Sequence, residues 1–443
     1  MLSLRFIAFL FALAVAADFA QADDLPPPGF IPLFNGRDLK GWRGGDTYDH
    51  GDLLRMNKVL RERQIEKWGV ELTVHWRVED SELVSNGVGR FLTTERDFGD
   101  FELLAEYRIE ASGDSGIYLR GVPQVQLWDP ANPQLAAQGA GRGSGGLWNN
   151  RPGTPGRDPL VRADHPAGEW NAVRVQMVGS RVSVWLNGQL VVDHAVLANF
   201  FHPSKPIIAR GPIQLQTHGG EMRWRHLFLR EIPGEEANRL LAERGRGGGF
   251  QPLWNGRDFT GWAGETGAFQ FIQGAIHGKP DARGTMFFAQ TLSDFVVRLE
   301  FLTLPGGIGG LALRYPGTGD PATAGWCRIQ MLDEHYEHRR GPIEQRQAHG
   351  SAYGIAAALR GYQRAQGDWN FQEVTVRGST VRVELNGCVI LESDLSVVVP
   401  APYLRSGDAP WAVRRSGFFG LVAEGAGIGV RRLEYRALPT FAK

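Results

Sequence analysis

The sequence predicts an all-β protein built from two copies of one antiparallel sandwich or jelly roll. Three observations predict it. The chain repeats itself: residues 34–42 (FNGRDLKGW) recur as 254–262 (WNGRDFTGW), and GEWN at 168–171 with VWLNG at 184–188 recurs as GDWN at 367–370 with VELNG at 383–387. Matched phrases in the same order and at similar spacing mean two copies of one domain, with a period too long for a solenoid. Short period-two runs bounded by tight turns fill most of both copies. The 58 glycines suit a turn-rich sheet protein, and the 13 tryptophans suit sandwich cores or sugar-stacking surfaces.

In chain order, Arg5, the apolar residues 6–16 and the small-x-small site Ala20-Gln21-Ala22 read as a signal peptide over residues 1–22. The apolar stretch is too short to span a bilayer. An exported protein, periplasmic or secreted and without a transmembrane segment, is the expectation. The first copy is expected over 23–232. Within it, residues 52–68 (DLLRMNKVLRERQIEKW) have helical spacing at Leu53, Leu54, Met56, Val59, Leu60 and Ile65 and read as one helix inserted only in this copy. Residues 101–109 (FELLAEYRI) put Phe101, Leu103, Ala105, Tyr107 and Ile109 on one strand face. Residues 173–185 read as two strands broken at Gly179-Ser180, followed by a tight hairpin at Asn187-Gly188, where both residues tolerate positive φ. Residues 213–216 and 222–230 read as a further hairpin through His218-Gly219-Gly220. A linker over 233–249, with one helix and a glycine-rich break, leads to the second copy at 250–438.

The 48 basic and 48 acidic side chains cancel, which argues against nucleic acid or an anionic membrane as partner. The two cysteines, Cys327 and Cys388, lie far apart in the second copy with no Cys/His cluster around them, so a zinc site is not expected; a disulfide is left open.

The phrases FNGRDLKGW, GDFELLAEYRI, GDSGIYLRG, VQLWD, GEWN, WLNG and GPIQLQTHGG with WRHL resemble the 3-keto-disaccharide hydrolase family, long catalogued as a domain of unknown function. The resemblance covers nearly all of residues 29–232, and the second copy is similar but degraded. It implies concanavalin A-like jelly rolls and cleavage of glycosides whose sugar carries a ketone at C3, in some members with a divalent metal. A nucleotide cofactor is not expected. A C3 ketone acidifies the proton at C2, so the chemistry needs a general base and a stabiliser for the enolate rather than two opposed carboxylates.

His218, beside glycines in QLQTHGG, is the leading candidate for base or metal ligand, against a turn histidine bonded to backbone. Asp129 at the end of VQLWD is the second, as base or metal ligand, against a turn-initiating aspartate before Pro130. Tyr118 could donate a proton. Glu102 and Glu106 alternate on one strand and Glu106 could serve as a catalytic acid, against a solvated strand face. Arg120, Gln126, Gln216 and Ser115 are candidates to orient substrate. Trp148, Asn149 and Arg151, in the glycine-rich loop 139–164, could stack on and bond a sugar. The second copy lacks the counterparts of His218, Tyr118 and Ser115. Carbohydrate is therefore the expected partner, with a 3-keto-glycoside hydrolase or lyase and a non-catalytic lectin-like module as the alternatives.

Overall fold

The structure is a computed structural model that describes residues 25–244, 248–404 and 414–439. The expected signal peptide lies outside the described residues, as do residues 245–247 of the expected glycine break.

The first half contains β1 (Ile31–Pro32), β2 (Trp42–Gly45), β3 (Trp76–Glu79), β4 (Glu82–Ser85), β5 (Phe91–Thr94), β6 (Phe101–Ile109), β7 (Asp114–Leu119), β8 (Val122–Trp128), β9 (Trp170–Val178), β10 (Arg181–Leu186), β11 (Gln189–Val196), β12 (Gln214–Leu215) and β13 (Met222–Glu231). They form an eight-stranded sheet in the order β11-β10-β9-β6-β13-β4-β3, with β1 on β13, and a five-stranded sheet in the order β2-β5-β12-β7-β8. All pairings are antiparallel. The second half repeats both sheets with the same strand counts. The protein is thus two jelly-roll β-sandwiches in tandem.

The core lies between the sheets. Phe101, Leu103, Ala105, Tyr107 and Ile109 on β6 all face it and are buried. Fully burying a residue such as Leu103 stabilises by ~1.5–3 kcal/mol. Asn187 and Gly188 take φ of 48° and 79°, and Asn386 and Gly387 repeat this at 50° and 81°. The positive φ values suit the right-handed twist of the flanking strands.

Two expectations need correction. Strands β12 and β13 do not form a hairpin, because they belong to different sheets. The segment His218-Gly219-Gly220 crosses between the sheets. Gly219 N–H bonds to Gly87 O, and Gly219 O accepts from Asp114 N–H. The insertion is also not one amphipathic helix. It is α1 (His50–Arg55), α2 (Lys58–Gly69) and α3 (Leu72–His75), and α2 restarts at Asn57, whose side chain accepts from Leu60 N–H. Leu53 and Trp68 are buried while Leu54, Val59 and Leu60 are about half exposed, so only part of the apolar stripe meets the domain. The α2–β2 contact depends on Gly44, where a Cβ would lie 1.9 Å from Trp68 O.

Helix α4 (Gly234–Glu243) joins the halves. Its Ala237 and Leu241 pack with Val178, Ile232 and Phe371. Across the same junction Ser180 N–H bonds to Gly387 O, and Arg181 pairs with buried Glu384. Burial acts to raise the Glu384 pKa, but the Arg181 hydrogen bond and the charges of Arg181, Arg244 and Arg382 hold it down to about 2. Cys327 and Cys388 are both buried and free, so they form no disulfide.

Candidate functional site

Side chains on the outer face of the five-stranded sheet should meet water, yet the first domain buries a set of polar groups there. Strand alternation sends Ile117, Leu119, Val125, Leu127 and Leu215 into the core. It sends Asp114 and Tyr118 of β7, Gln124, Gln126 and Trp128 of β8, Gln214 of β12 and its neighbour Gln216, and Thr93 of β5 to the opposite side. Register places Gln214 between Thr93 and Tyr118. Gln124, Gln126, Gln214, Gln216, Thr93 and Tyr118 are all buried.

Hydrogen bonds tie this polar face together. His218 Nδ1 lies 2.8 Å from Asp114 Oδ2. Asp114 Oδ1 accepts from Gln126 Nε2 at 2.6 Å, and Gln126 Oε1 accepts from Gln124 Nε2. Gln214 Nε2 donates to Thr93 Oγ1 and to Asp46 O. The Tyr118 hydroxyl meets Thr47 Oγ1 at 2.8 Å, and its ring packs edge-on against Phe91. Asp46, beside Thr47, pairs with Arg90. The segment leading into α1 therefore closes one end of the face, and the His218–Asp114 pair stands at the other.

Two of these groups have shifted pKa values. The hydrogen bond to Asp114, opposed by burial and aided by the Asp114 charge, raises His218 above its ordinary value. Burial raises Tyr118, partly offset by the hydrogen bond to Thr47, so the phenol keeps its proton. A carboxylate only accepts, so Asp114 fixes the imidazole tautomer with hydrogen on Nδ1. That leaves Nε2 as the basic nitrogen.

The structure brings His218, Tyr118, Gln126 and Gln216 to one face, sets the loop of Trp148, Asn149 and Arg151 beside it, and places Asp129, Glu106, Arg120 and Ser115 elsewhere. Asp129 is a turn cap: Oδ1 accepts from Ala131 N–H and Oδ2 from Ser112 N–H. Glu106 lies on the eight-stranded sheet, ion-paired with Arg225 and His226, and so does not belong to this face. Arg120 is buried at 1 % exposure, with φ of 54°, and bonds to Gly99 O, Ile208 O and Asp100. Ser115 points to the core side and donates to Gln216 O. Trp148 packs edge-on against Trp128 and carries Arg157 at 3.3 Å from its ring centroid, so one stacking face is covered. Asn149 is half-buried and Arg151 exposed, in the loop whose Gly145 and Gly146 pair with Gln126 beside β8.

Among the described residues one group of three or more ligand side chains could hold a metal ion, Asp49, Asp52 and His202, whose ligand atoms lie within 4.8 Å of one another, and neither His218 nor Asp129 belongs to it. Two carboxylates and an imidazole suit a divalent cation in type. Each already has a protein partner: His202 bonds to Asp49, Asp49 caps α1, and Asp52 pairs with Arg55.

The sequence reading passed over Asp114, Gln124, Gln214 and Thr93 as functional residues. The signal was present in the strand period: β7 and β8 alternate core residues with Asp114, Tyr118, Gln124 and Gln126, a pattern of polar groups on one face that the structure then buries.

A profile of the 3-keto-alpha-glucoside-1,2-lyase-like domain matches residues 29–230 and 249–436. No curated protein matches the chain. Among solved structures, a candidate glycosyl hydrolase from Parabacteroides distasonis is 20% identical, with 43% of this chain and 99% of that one covered and a TM-score of 0.38. A second candidate glycosyl hydrolase from the same organism is 22% identical over 51% of this chain and 100% of that one, with a TM-score of 0.33. A carbohydrate binding module from Bacillus subtilis is 15% identical over 41% and 98%, with a TM-score of 0.29. None of the three likenesses bears on chemistry. No helix among the described residues is long and apolar enough to cross a membrane.

Proposed function

The chain belongs to the 3-keto-alpha-glucoside-1,2-lyase-like domain family, and from that premise we propose that the polar face of its first domain cleaves 3-keto-glucosides by elimination across C1 and C2. The observation that carries this reading is the His218–Asp114 pair at 2.8 Å, set at the end of a buried row of hydrogen-bonding groups.

His218 Nε2 takes the C2 proton, and the electron pair left behind is delocalised onto the C3 oxygen as an enolate. That pair then forms the C1–C2 double bond as the bond from C1 to the leaving oxygen breaks. The departing oxygen takes a proton from a neutral acid, the role of Tyr118. Addition of water to the resulting enone completes a net hydrolysis. Asp114 holds the imidazole and balances its charge once protonated. Gln216 orients the sugar, and Gln126, bonded to Asp114 and Gln124, holds the row behind it in place. Asp49, Asp52 and His202 are the described residues that would hold a divalent cation, which would supply Lewis-acid stabilisation of negative charge. Export rests on the sequence of residues 1–22, and N-terminal sequencing of the mature protein checks it through cleavage after Ala22.

The test is turnover of methyl 3-keto-α-glucoside and of its unoxidised parent by the purified protein, with and without chelator. Release from the keto substrate alone supports elimination, and chelator sensitivity adds a metal. Release from neither, with retained binding of the parent glucoside, assigns the face to carbohydrate binding without catalysis.

A further inference from the structure

Three carbonyl oxygens on the polar face, Gln124 Oε1, Gln214 Oε1 and Gln216 Oε1, are buried and accept no hydrogen bond. Their residues are 5, 4 and 8 % exposed. Leaving a buried acceptor unpaired costs about 1–3 kcal/mol, so a chain that keeps three of them on one face asks for donors.

For two of the three, the amide is oriented by groups behind it. Asp114 Oδ1 can only accept, which turns the Gln126 nitrogen toward it at 2.6 Å. Gln126 then presents its oxygen to the Gln124 nitrogen, and the Gln124 oxygen is left over. Independently, Thr93 Oγ1 at 3.0 Å and Asp46 O at 3.3 Å hold the Gln214 nitrogen, and the Gln214 oxygen is left over. The carboxylate that orients the His218 imidazole therefore also sets the direction of Gln124.

We propose that Gln124 and Gln214 are specificity-determining acceptors that read hydroxyl groups of a neutral sugar ring, and that this face rejects sugars bearing a carboxylate, sulfate or phosphate in place of those hydroxyls. This rests on the reading of the face as a carbohydrate site. An anion would set negative oxygens against carbonyl oxygens fixed in place, whereas a hydroxyl donates to them. A site built to bond a hydroxyl also discriminates strongly against the analogue that lacks it, because its own buried polar group is again unpaired.

The experiment compares wild type, Gln124→Leu and Gln214→Leu on methyl 3-keto-α-glucoside, its 4-deoxy and 6-deoxy analogues and its 6-carboxylate. Alongside, calorimetry measures binding of methyl α-glucoside and methyl α-glucuronide. The isosteric Gln124→Glu and Gln214→Glu keep acceptor oxygens and guard against a loss that is only misfolding. The expected result is a fall of about 10-fold or more in kcat/KM for at least one deoxy analogue in wild type. The matching leucine variant loses that discrimination, and the glutamate variant keeps it. Discrimination that survives in both leucine variants, or acceptance of the 6-carboxylate as readily as the parent, overturns the proposal. No turnover of any keto substrate, with glucoside preferred over glucuronide in wild type but not in the leucine variants, sinks the elimination reading and leaves the acceptor proposal standing. No turnover and no binding overturns both.

Discussion

The same face of the same sheet is polar in one half of this molecule and filled in the other. In the first domain Gln214 lies between Thr93 and Tyr118; at the same register in the second, Gly420 lies between Phe287 and Ala312. Asp114, opposite Trp128, gives way to Ile308, opposite Leu332. Gln124 gives way to Arg328 and His218 to Glu424, and those two pair with each other. Phe287 stacks on Phe418. Of the four glutamines one is kept, as Gln330. The frame, by contrast, is unchanged. Arg120 and Arg314 both adopt positive φ and both reach an aspartate, Asp100 or Asp294, that also accepts from Gly179 or Gly378. Asp129 and Asp333 both cap the turn after the strand. A jelly roll of this kind therefore folds without the polar face, and the face is what remains for function to explain.

The largest effect expected from that difference is on turnover. His218→Ala should lower the rate on a 3-keto-glucoside by about 10²–10⁴-fold, the range that general-base catalysis supplies. Glu424→Ala, at the matching place, should leave it unchanged. Initial rates for the two variants decide the matter; equal losses would move the chemistry off the first domain's face.

Next comes stability. Arg120→Ala removes a buried guanidinium that bonds Gly99, Ile208 and Asp100, leaving Asp100 with Gly179 N–H and the more distant Arg364, and should cost about 3–5 kcal/mol; Arg314→Ala should cost a similar amount through Asp294. Denaturant unfolding of both variants measures this. If Arg120→Ala lost turnover while unfolding like wild type, Arg120 would belong with the site rather than with the frame.

The same split governs what the sequence could tell. The repeated phrases GEWN and LNG mark positions held by backbone geometry. Asn171 and Asn187 bond to each other and to the backbone, as do Asn370 and Asn386, so both copies must keep them and the two domains stand out on reading. Strand period alone assigned the core face of β6. The crossing at His218-Gly219-Gly220 was hidden because a glycine turn between two strands looks alike whether they pair or part. The break between α1 and α2 was hidden because apolar residues keep helical spacing across the restart at Asn57. At the site, Tyr118 and His218 stood out by their loss in the second copy. Asp114 did not, since its importance lies in reaching His218 across the sheet from a position 104 residues away in the chain.

A smaller effect should appear in the pH dependence. The hydrogen bond to Asp114 raises the His218 pKa, and the neutral imidazole is the base. The acidic limb of kcat/KM should therefore have its midpoint above the ordinary histidine value of 6.5, with rate rising as pH rises through it. Asp114→Asn removes the charge and should move that midpoint down. For stability the sign is opposite. A raised folded pKa means the pair stabilises fully below 6.5 and progressively less as pH rises through the folded value. A limb that stays in place in Asp114→Asn would detach His218 from the proton transfer.

The smallest expected effect separates Glu106 from its counterpart Glu300. Both lie on the eight-stranded sheets, opposite an arginine of the neighbouring strand, Arg225 or Arg431. Glu106 is 14 % exposed and pairs with partners that are themselves about a third exposed. Glu300 is 2 % exposed and holds both Arg431 and Arg432. Solvent screens the first pair more than the second, so Glu106→Gln should cost about 1 kcal/mol or less, and Glu300→Gln should cost more. Neither should alter kcat/KM, because neither carboxylate faces the polar row. Unfolding midpoints and initial rates on the two variants check both statements. A loss of turnover in Glu106→Gln without a loss of stability would restore the closely spaced carboxylates as reacting groups and move the site to the other sheet.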